Sequence, residues 1–351
     1  MLGFSFYLTD PLDDKAENYF MNMSENGFKL VFTSAHIPEE NHSQTSSKIL
    51  QLYELTQKYN LQLMIDTDRD SMKYLPKNIF PGSGLRLDDG FSPIDISELS
   101  QNIPLALNAS TLNKQLYNEL VKQNFNQANV QAWHNYYPRP ETGLDAAWLK
   151  QKNEWLHSIG FKTQAFIPGD MNLRGPLHDG LPTLESQRHQ NLLASYIELK
   201  KLATDTVVIG DPALSTDMQS ALHDYVQRKM IKLHLESFSD ESVKSVICNS
   251  IMENRPDVAR DVIRVNGSRQ IIKDSVIDTT PISSKIRSPG SVTVDNSDYG
   301  RYEGELQIVK TELPEDPKVN VIAQVVQSDL CLLNSIGSSG LFYFSDQEEK
   351  D

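Results

Sequence analysis

Residues 129–143 read NVQAWHNYYPRPETG. The first six, NVQAWH, form a short apolar run of the kind that fills a buried strand. Two prolines, two tyrosines, an asparagine and an arginine follow at once. Proline cannot continue a central strand, so the strand must stop here. Pro138 and Pro140 stiffen the exit, and polar and aromatic side chains crowd it. A strand that empties into a rigid polar loop is the C-terminal end of a β-then-α unit, and the fold depends on how often the unit repeats.

It repeats eight times. Strand-like runs occur at 3–8, 29–35, 61–66, 84–88, 104–108, 129–134, 162–168 and 206–211. Most are continuous apolar runs, as in parallel strands buried on both faces. Amphipathic stretches lie between most of them; the connections after the third and fourth strands are short or weakly helical. Ala16, Tyr19, Phe20 and Met23 recur at helical spacing before Gly27, and Ile49, Leu52, Tyr53 and Thr56 do so before Asn60. Ser110 or Thr111 is placed to cap a helix carrying Leu116, Leu120 and Val121. Trp148, Trp155 and Ile159 form a stripe ending at Gly160. Eight such units predict an α/β fold of the (β/α)8, TIM-like barrel type. An open doubly wound sheet gives no reason for eight, and no glycine-rich nucleotide loop follows the first strand. Past residue 235 the pattern turns to short strands and turns after a helical stretch near 240–254. The expected organisation is a catalytic barrel over 1–235 and a mostly β domain over 236–351.

The chain has 351 residues, and 33 Lys and Arg against 47 Asp and Glu give a formal net charge of −14. That balance disfavours nucleic acid, whose phosphates are bound by clustered cations. No run is long enough to span a membrane, and the first strand meets Asp10, Asp13 and Asp14 too soon for a signal peptide. The two cysteines, Cys248 and Cys331, have no zinc spacing and make no disulfide framework. A cytoplasmic protein without metal or cofactor is the expectation.

A barrel keeps its chemistry at the C-terminal strand ends. There the sequence delivers Tyr7 and Asp10, Ser34 and His36, Asp66 and Asp68, Arg86, Asp88 and Asp89, Asn108, His134, Asn135, Tyr137 and Arg139, then Asp170, Arg174 and Glu185, and Asp211. Some are caps and turns: Asp68 and Asp211 sit where a helix cap belongs, and Asp89 precedes a glycine. The remaining concentration of carboxylates, arginines and asparagines exceeds what turns require. Paired carboxylates fit glycoside hydrolysis. Histidine with carboxylates fits a metal-dependent sugar-phosphate isomerase or epimerase. Arginines alone fit a non-catalytic sugar-phosphate sensor.

The stretches GFKLVFTSAHIPEE, GLRLDDGFS, LNASTLN, HNYYPRPETGLD, AFIPGD, RGPLHDGLPTLE, VDNSDYGRYEGELQI and NVIAQV resemble the bacterial 6-phospho-N-acetylmuramidase family, two-domain proteins formerly labelled as an outer-surface-protein domain. The resemblance runs nearly end to end. It implies a barrel followed by a small cyclophilin-like β-barrel domain. It also implies hydrolysis of a 6-phospho-N-acetylmuramic acid–N-acetylglucosamine disaccharide from the non-reducing end, in peptidoglycan recycling. It assigns no catalytic residue, so those follow from the residues themselves.

Asp88 ends a strand two residues from Arg86, so both face one side, and the cation suits a base or nucleophile. Glu185, on a loop shaped by Gly180 and Pro182, is the expected acid with a raised pKa. Asp66 and Asp211 are held in reserve. Arg174 and Arg139 are candidates for the phosphate and the lactyl carboxylate. Asn108, Asn135 and His134 suit hydroxyl and acetamido contacts, and Tyr137 suits stacking. Asn296 and Arg301, in the turn-rich VDNSDYGRYEGE, are expected to reach substrate from the second domain, which would favour exo action.

Overall fold

Alternate residues of a strand face opposite sides, and in this chain that rule sorts the barrel interior from its helical coat. A computed structural model describes residues 1–35, 42–80, 82–275 and 277–346. His36 lies outside them. The chain divides into two compact units, Met1–Ser215 and Thr216–Asp351.

The first unit runs β1 (Leu2–Ser5), α1 (Asp14–Glu25), β2 (Leu30–Ser34), α2 (His42–Lys58), β3 (Gln62–Thr67), β4 (Ser83–Leu87), α3 (Pro93–Ser100), β5 (Leu105–Asn108), α4 (Lys114–Lys122), β6 (Val130–Trp133), α5 (Ala146–Ser158), β7 (Thr163–Ile167), α6 (Leu192–Lys201) and β8 (Thr206–Ile209). The eight strands close in sequence order, every neighbour parallel, with β1 pairing both β2 and β8. Each expected strand is present, with its ends displaced by at most three residues. Short 3-10 turns at Ser71–Tyr74 and Lys77–Ile79 replace a helix after β3.

Leu30, Phe32, Met64, Ala106, Trp133, Phe166 and Val208 fill the interior as one buried cluster. At Gly84 a Cβ would lie 2.8 Å from the Met64 methyl and 2.9 Å from the Pro104 carbonyl, so the interior leaves no room for a side chain there. Outside, Phe4 meets Phe20 edge-to-face at 5.1 Å, fixing α1 on the barrel. Helices start where a side chain supplies the missing acceptor: Asp13, Asn113, Asp145 and Asn191 each accept from amides of the first turn. Asn113, rather than Ser110 or Thr111, caps α4, because Asn108 through Leu112 are occupied by a turn that Asn108 itself closes. Gly27, Asn60 and Gly160, the expected stops, adopt positive φ.

The second unit runs α7 (Thr216–Arg228), β9 (Ile231–Glu236), α8 (Glu241–Ile247), β10 (Ile251–Glu253), β11 (Val262–Arg264), α9 (Ser268–Lys273), β12 (Ser291–Asp295), β13 (Leu306–Val309), β14 (Val319–Val325) and β15 (Leu341–Asp346). Its seven strands form one sheet in the order β10-β15-β9-β14-β12-β13-β11. The division falls earlier than the expected boundary at 235/236. β9 pairs with β14 and β15, and α7 is tied to that sheet by Asp217–Lys232 and by the Tyr343 hydroxyl, which donates to Asp224 at 2.8 Å. The edge strands β10 and β11 meet through a bridge at Asn254 and Val265.

Candidate functional site

Strand alternation decides which rim residues enter the barrel mouth. Met64 faces the interior, so Asp66 stands above it; Gly84 is followed by Arg86 and Asp88, Ala106 by Asn108, and Trp133 by Asn135. Arg86 is buried and becomes the hub of this layer. Its Nη1 donates to Asp66 and, at 3.3 Å, to Asp88, while its Nη2 donates to the Asn135 side-chain oxygen. The Ser34 hydroxyl donates to the other Asp66 oxygen at 3.0 Å. Burial raises the Asp66 pKa above the usual carboxylate range, opposed by Arg86 and reinforced by the nearby Asp88 charge. Asp88 is far more open, with 38% of its side chain exposed against 6% for Arg86. Among the described residues the Asn108 amide nitrogen has no partner, its oxygen accepting from Ser110 N at 3.0 Å.

A second cluster adjoins the first. Tyr136 packs over the interior, its ring 5.1 Å from Phe166 and 6.4 Å from Phe32. Arg174 lies 3.8 Å above the Tyr7 ring and donates to the Tyr136 hydroxyl at 3.1 Å. Burial raises the Tyr136 pKa, and that phenol also feels Arg174, Asp66 and Arg86, which places both clusters in one electrostatic neighbourhood. Asp10, raised by burial, is offset by Arg174 and Lys48, so a second cation stands on the same side. Tyr136 and Lys48 are the residues of this cluster that sequence reasoning left out; Tyr7 was placed at its strand end but given no role. Tyr7 was findable, since Gly3, Ser5 and Tyr7 alternate inward. Tyr136 follows the end of β6, where alternation no longer holds.

Glu185 departs from its expected role. Its Oε1 accepts from Glu141 N at 2.8 Å and Arg188 Nε at 2.7 Å; its Oε2 accepts from Gly143 N and Arg188 Nη2, both at 2.7 Å. The Arg188 hydrogen bonds, with those backbone amides, overcome partial burial and hold its pKa at about 2. This is the reverse of a proton donor's shift. Arg188 also donates to the carbonyls of Tyr137, Arg139 and Gly180. The pair therefore latches the loop after β6 to the loop after β7. A Cβ at Gly143 would fall 2.6 Å from the Glu185 carboxylate, so the glycine permits that approach.

Asp211 is likewise a staple. Its oxygens accept from Arg174 N at 2.9 Å, Gly169 N at 2.9 Å and Leu181 N at 3.0 Å, and the side chain is fully buried. Burial raises its pKa and these amides oppose the rise. His134 points away from the mouth: its Nε2 meets Asn153 of α5 at 2.8 Å and its ring meets Trp148. Burial lowers its pKa to about 4, so it is a neutral core residue. Tyr137 is half-buried, with its amide donating to Pro182 O at 2.9 Å, and Arg139 projects outward from the latched loop. In the second unit Asn296 is buried, its amide donating to Pro317 O and Asn320 Oδ1, both at 2.9 Å, and its oxygen capping at Asp298. No side-chain group of Asn296 is left over for a ligand. Arg301 is exposed and lies over Tyr302. Among the described residues no group of three His, Cys, Asp or Glu side chains is placed to hold a metal ion, and no helix is long and apolar enough to cross a membrane.

Comparison with known proteins bears on this arrangement. The N-terminal 6-phospho-N-acetylmuramidase model matches residues 2–224 and the C-terminal one matches residues 230–345. The chain belongs to the 6-phospho-N-acetylmuramidase family. The family name makes it a glycosidase in general terms. Among solved structures, a conserved protein of unknown function from Enterococcus faecalis shares 31% identity over 99% of this chain and 96% of its own, with a TM-score of 0.88. An uncharacterized B. cereus protein shares 24% identity over 98% of this chain and 99% of its own, with a TM-score of 0.71, and supports the fold. No curated protein matches. Neither solved structure carries an assigned reaction.

Proposed function

We propose that the barrel hydrolyses the glycosidic bond of a 6-phospho-N-acetylmuramic acid–N-acetylglucosamine disaccharide, with Asp66 and Asp88 as the catalytic pair. The observation that carries this reading is the shared guanidinium: one Arg86 nitrogen meets an oxygen of each carboxylate, yet the two carboxylates live in different environments. Asp66 is largely enclosed, with 14% of its side chain exposed, and is raised in pKa, which suits the acid. Asp88 is open to the mouth, which suits the nucleophile or base. Sharing one nitrogen holds the pair closer than the roughly 6.5–9.5 Å of inverting enzymes, which favours a retaining outcome.

Arg174, braced by Tyr7 and Tyr136 and joined by Lys48, offers the anion site for the phosphate or the lactyl carboxylate. Asn108 and Asn135 supply polar contacts to the sugar. Hydrolysis of such a disaccharide belongs to peptidoglycan recycling inside the cell, and this assigns the protein to the cytoplasm. The second unit is taken for a cyclophilin-like barrel, supported by the bridge that brings its edge strands together.

The test is turnover of the phosphorylated disaccharide beside its unphosphorylated twin, with the anomer of the released sugar followed by NMR. Cleavage of the phosphorylated substrate alone, with retention, is expected. Tight binding without cleavage of either would replace the enzyme with a sensor.

A further inference from the structure

Of the three tryptophans, Trp133 is buried in the barrel, and the other two lie on α5 facing outward. Trp148 is 41% exposed and Trp155 half-buried. They are seven residues apart, two helical turns, so they share one face at a separation of about 10 Å along the axis. Between that face and the start of α4 runs a groove of about 410 Å³ lined by Asn113, Lys114, Trp148, Gln151, Lys152 and Trp155. Lys152 sits 4.7 Å above the Trp155 ring and donates to Leu112 O at 2.6 Å. Lys114 and Gln151 are exposed and engage no partner among the described residues. The lining holds two cations and no carboxylate, on a chain whose net charge is −14.

We propose that this groove is a second binding site, for a saccharide ring bearing an anionic group. Indole faces are flat apolar platforms whose edges tolerate polar neighbours, which matches the apolar face and hydroxyl rim of a hexose. The local excess of positive charge selects an anion against the field of the whole chain. The groove is continuous in sequence with the barrel mouth: Asn108, at the end of β5, is five residues from Asn113, and Asn135 follows His134, whose ring meets Trp148. The choice of a sugar over another anion rests on the reading of the barrel mouth as a glycosidase.

The probe is intrinsic fluorescence of the whole protein titrated with N-acetylmuramic acid, which carries a carboxylate, and with neutral N-acetylglucosamine. The expected result is saturable quenching by the acid, weakened by salt, retained in Arg174→Ala, and at least about fivefold weaker in Lys114→Glu, as loss of a charge contact on an exposed aromatic platform implies. Trp148→Ala is expected to abolish the signal while leaving disaccharide turnover unchanged; because Trp148 also packs on His134, Lys114→Glu keeps the test open if that variant misfolds. Equal quenching by both sugars overturns the anionic assignment. No saturable quenching, or quenching lost in Arg174→Ala, overturns the site. Absence of disaccharide turnover in the wild type would instead count against the reading of the barrel mouth, since the titration does not use that reaction.

Discussion

Arg86 and Arg188 are both buried guanidiniums bonded to carboxylates, and they leave those carboxylates in opposite conditions. Glu185 receives four hydrogen bonds, two from Arg188 and two from backbone amides, so its lone pairs are spent and its pKa lies at about 2. Asp88 receives one long contact of 3.3 Å from Arg86 and keeps more than a third of its side chain open. Proximity to arginine is common to both. Saturation separates a carboxylate that holds loops together from one that can meet a substrate.

The most forceful way to break this comparison is at the open carboxylate. Asp88→Asn is expected to lower kcat by roughly 10²–10⁴-fold with an unchanged circular dichroism spectrum. Asp66→Asn is expected to do the same and to remove the fall in kcat at high pH that comes from losing the Asp66 proton. Glu185→Gln should leave the shape of the pH profile intact; a loss as deep as that of Asp88→Asn would return the acid role to Glu185.

The saturated pair should show its worth in stability. Arg188→Ala, which breaks a half-buried ion pair and leaves seven acceptor oxygens short of a donor, is expected to cost about 3–5 kcal/mol in denaturant unfolding. The pH dependence sharpens the point. Glu185 has a folded pKa of about 2, below its unfolded value, so its contribution is present above about pH 4.3 and is lost as pH falls toward 2.

A third site runs in the other direction. Burial disfavours a charged His234, but hydrogen bonds with Asp217 and Asp329 at 3.0 and 2.8 Å outweigh it and push its pKa up to about 9. The folded value exceeds the unfolded one, so this stabilisation of the second unit is complete below about pH 6.5 and is lost as pH rises through 9. Thermal melts of the wild type should fall over that window by the equivalent of at most about 3 kcal/mol, and those of His234→Gln should not. The smallest effect expected is at Asn296: replacing it with Ala removes two donated hydrogen bonds and should cost about 1–3 kcal/mol, with KM unchanged. A raised KM there would restore its expected contact with substrate.

The barrel was legible because eight buried strands with helical spacers admit few other closures, and the inward residues Asp66, Arg86, Asp88, Asn108 and Asn135 follow from alternation once one interior residue is known. His134 was misread for want of that step: it neighbours Trp133 in sequence and so must face the helices. Glu185 could not be placed from sequence, because its partners Glu141, Gly143 and Arg188 come from a loop more than 40 residues away and from a turn whose shape no periodicity encodes. Tyr136 escaped for a similar reason, lying one step past the last residue at which strand parity applies. In the second unit, Asn296 looked like a loop residue free to reach outward. Its amide is instead consumed by Pro317 and Asn320, over 20 residues further on.

Asp211 has a practical corollary for anyone redesigning substrate preference. The segment after β7 that bears Arg174 does not carry all of its own anchors: three of its amides hang on one carboxylate from the end of β8. A loop transplanted from a relative into positions 168–191 would arrive without the peg it was shaped around unless residue 211 and the length of chain up to it were matched as well. The interchangeable module in this barrel is a loop plus the first residues past the next strand, and libraries that vary the loop alone will mostly sample unanchored backbones.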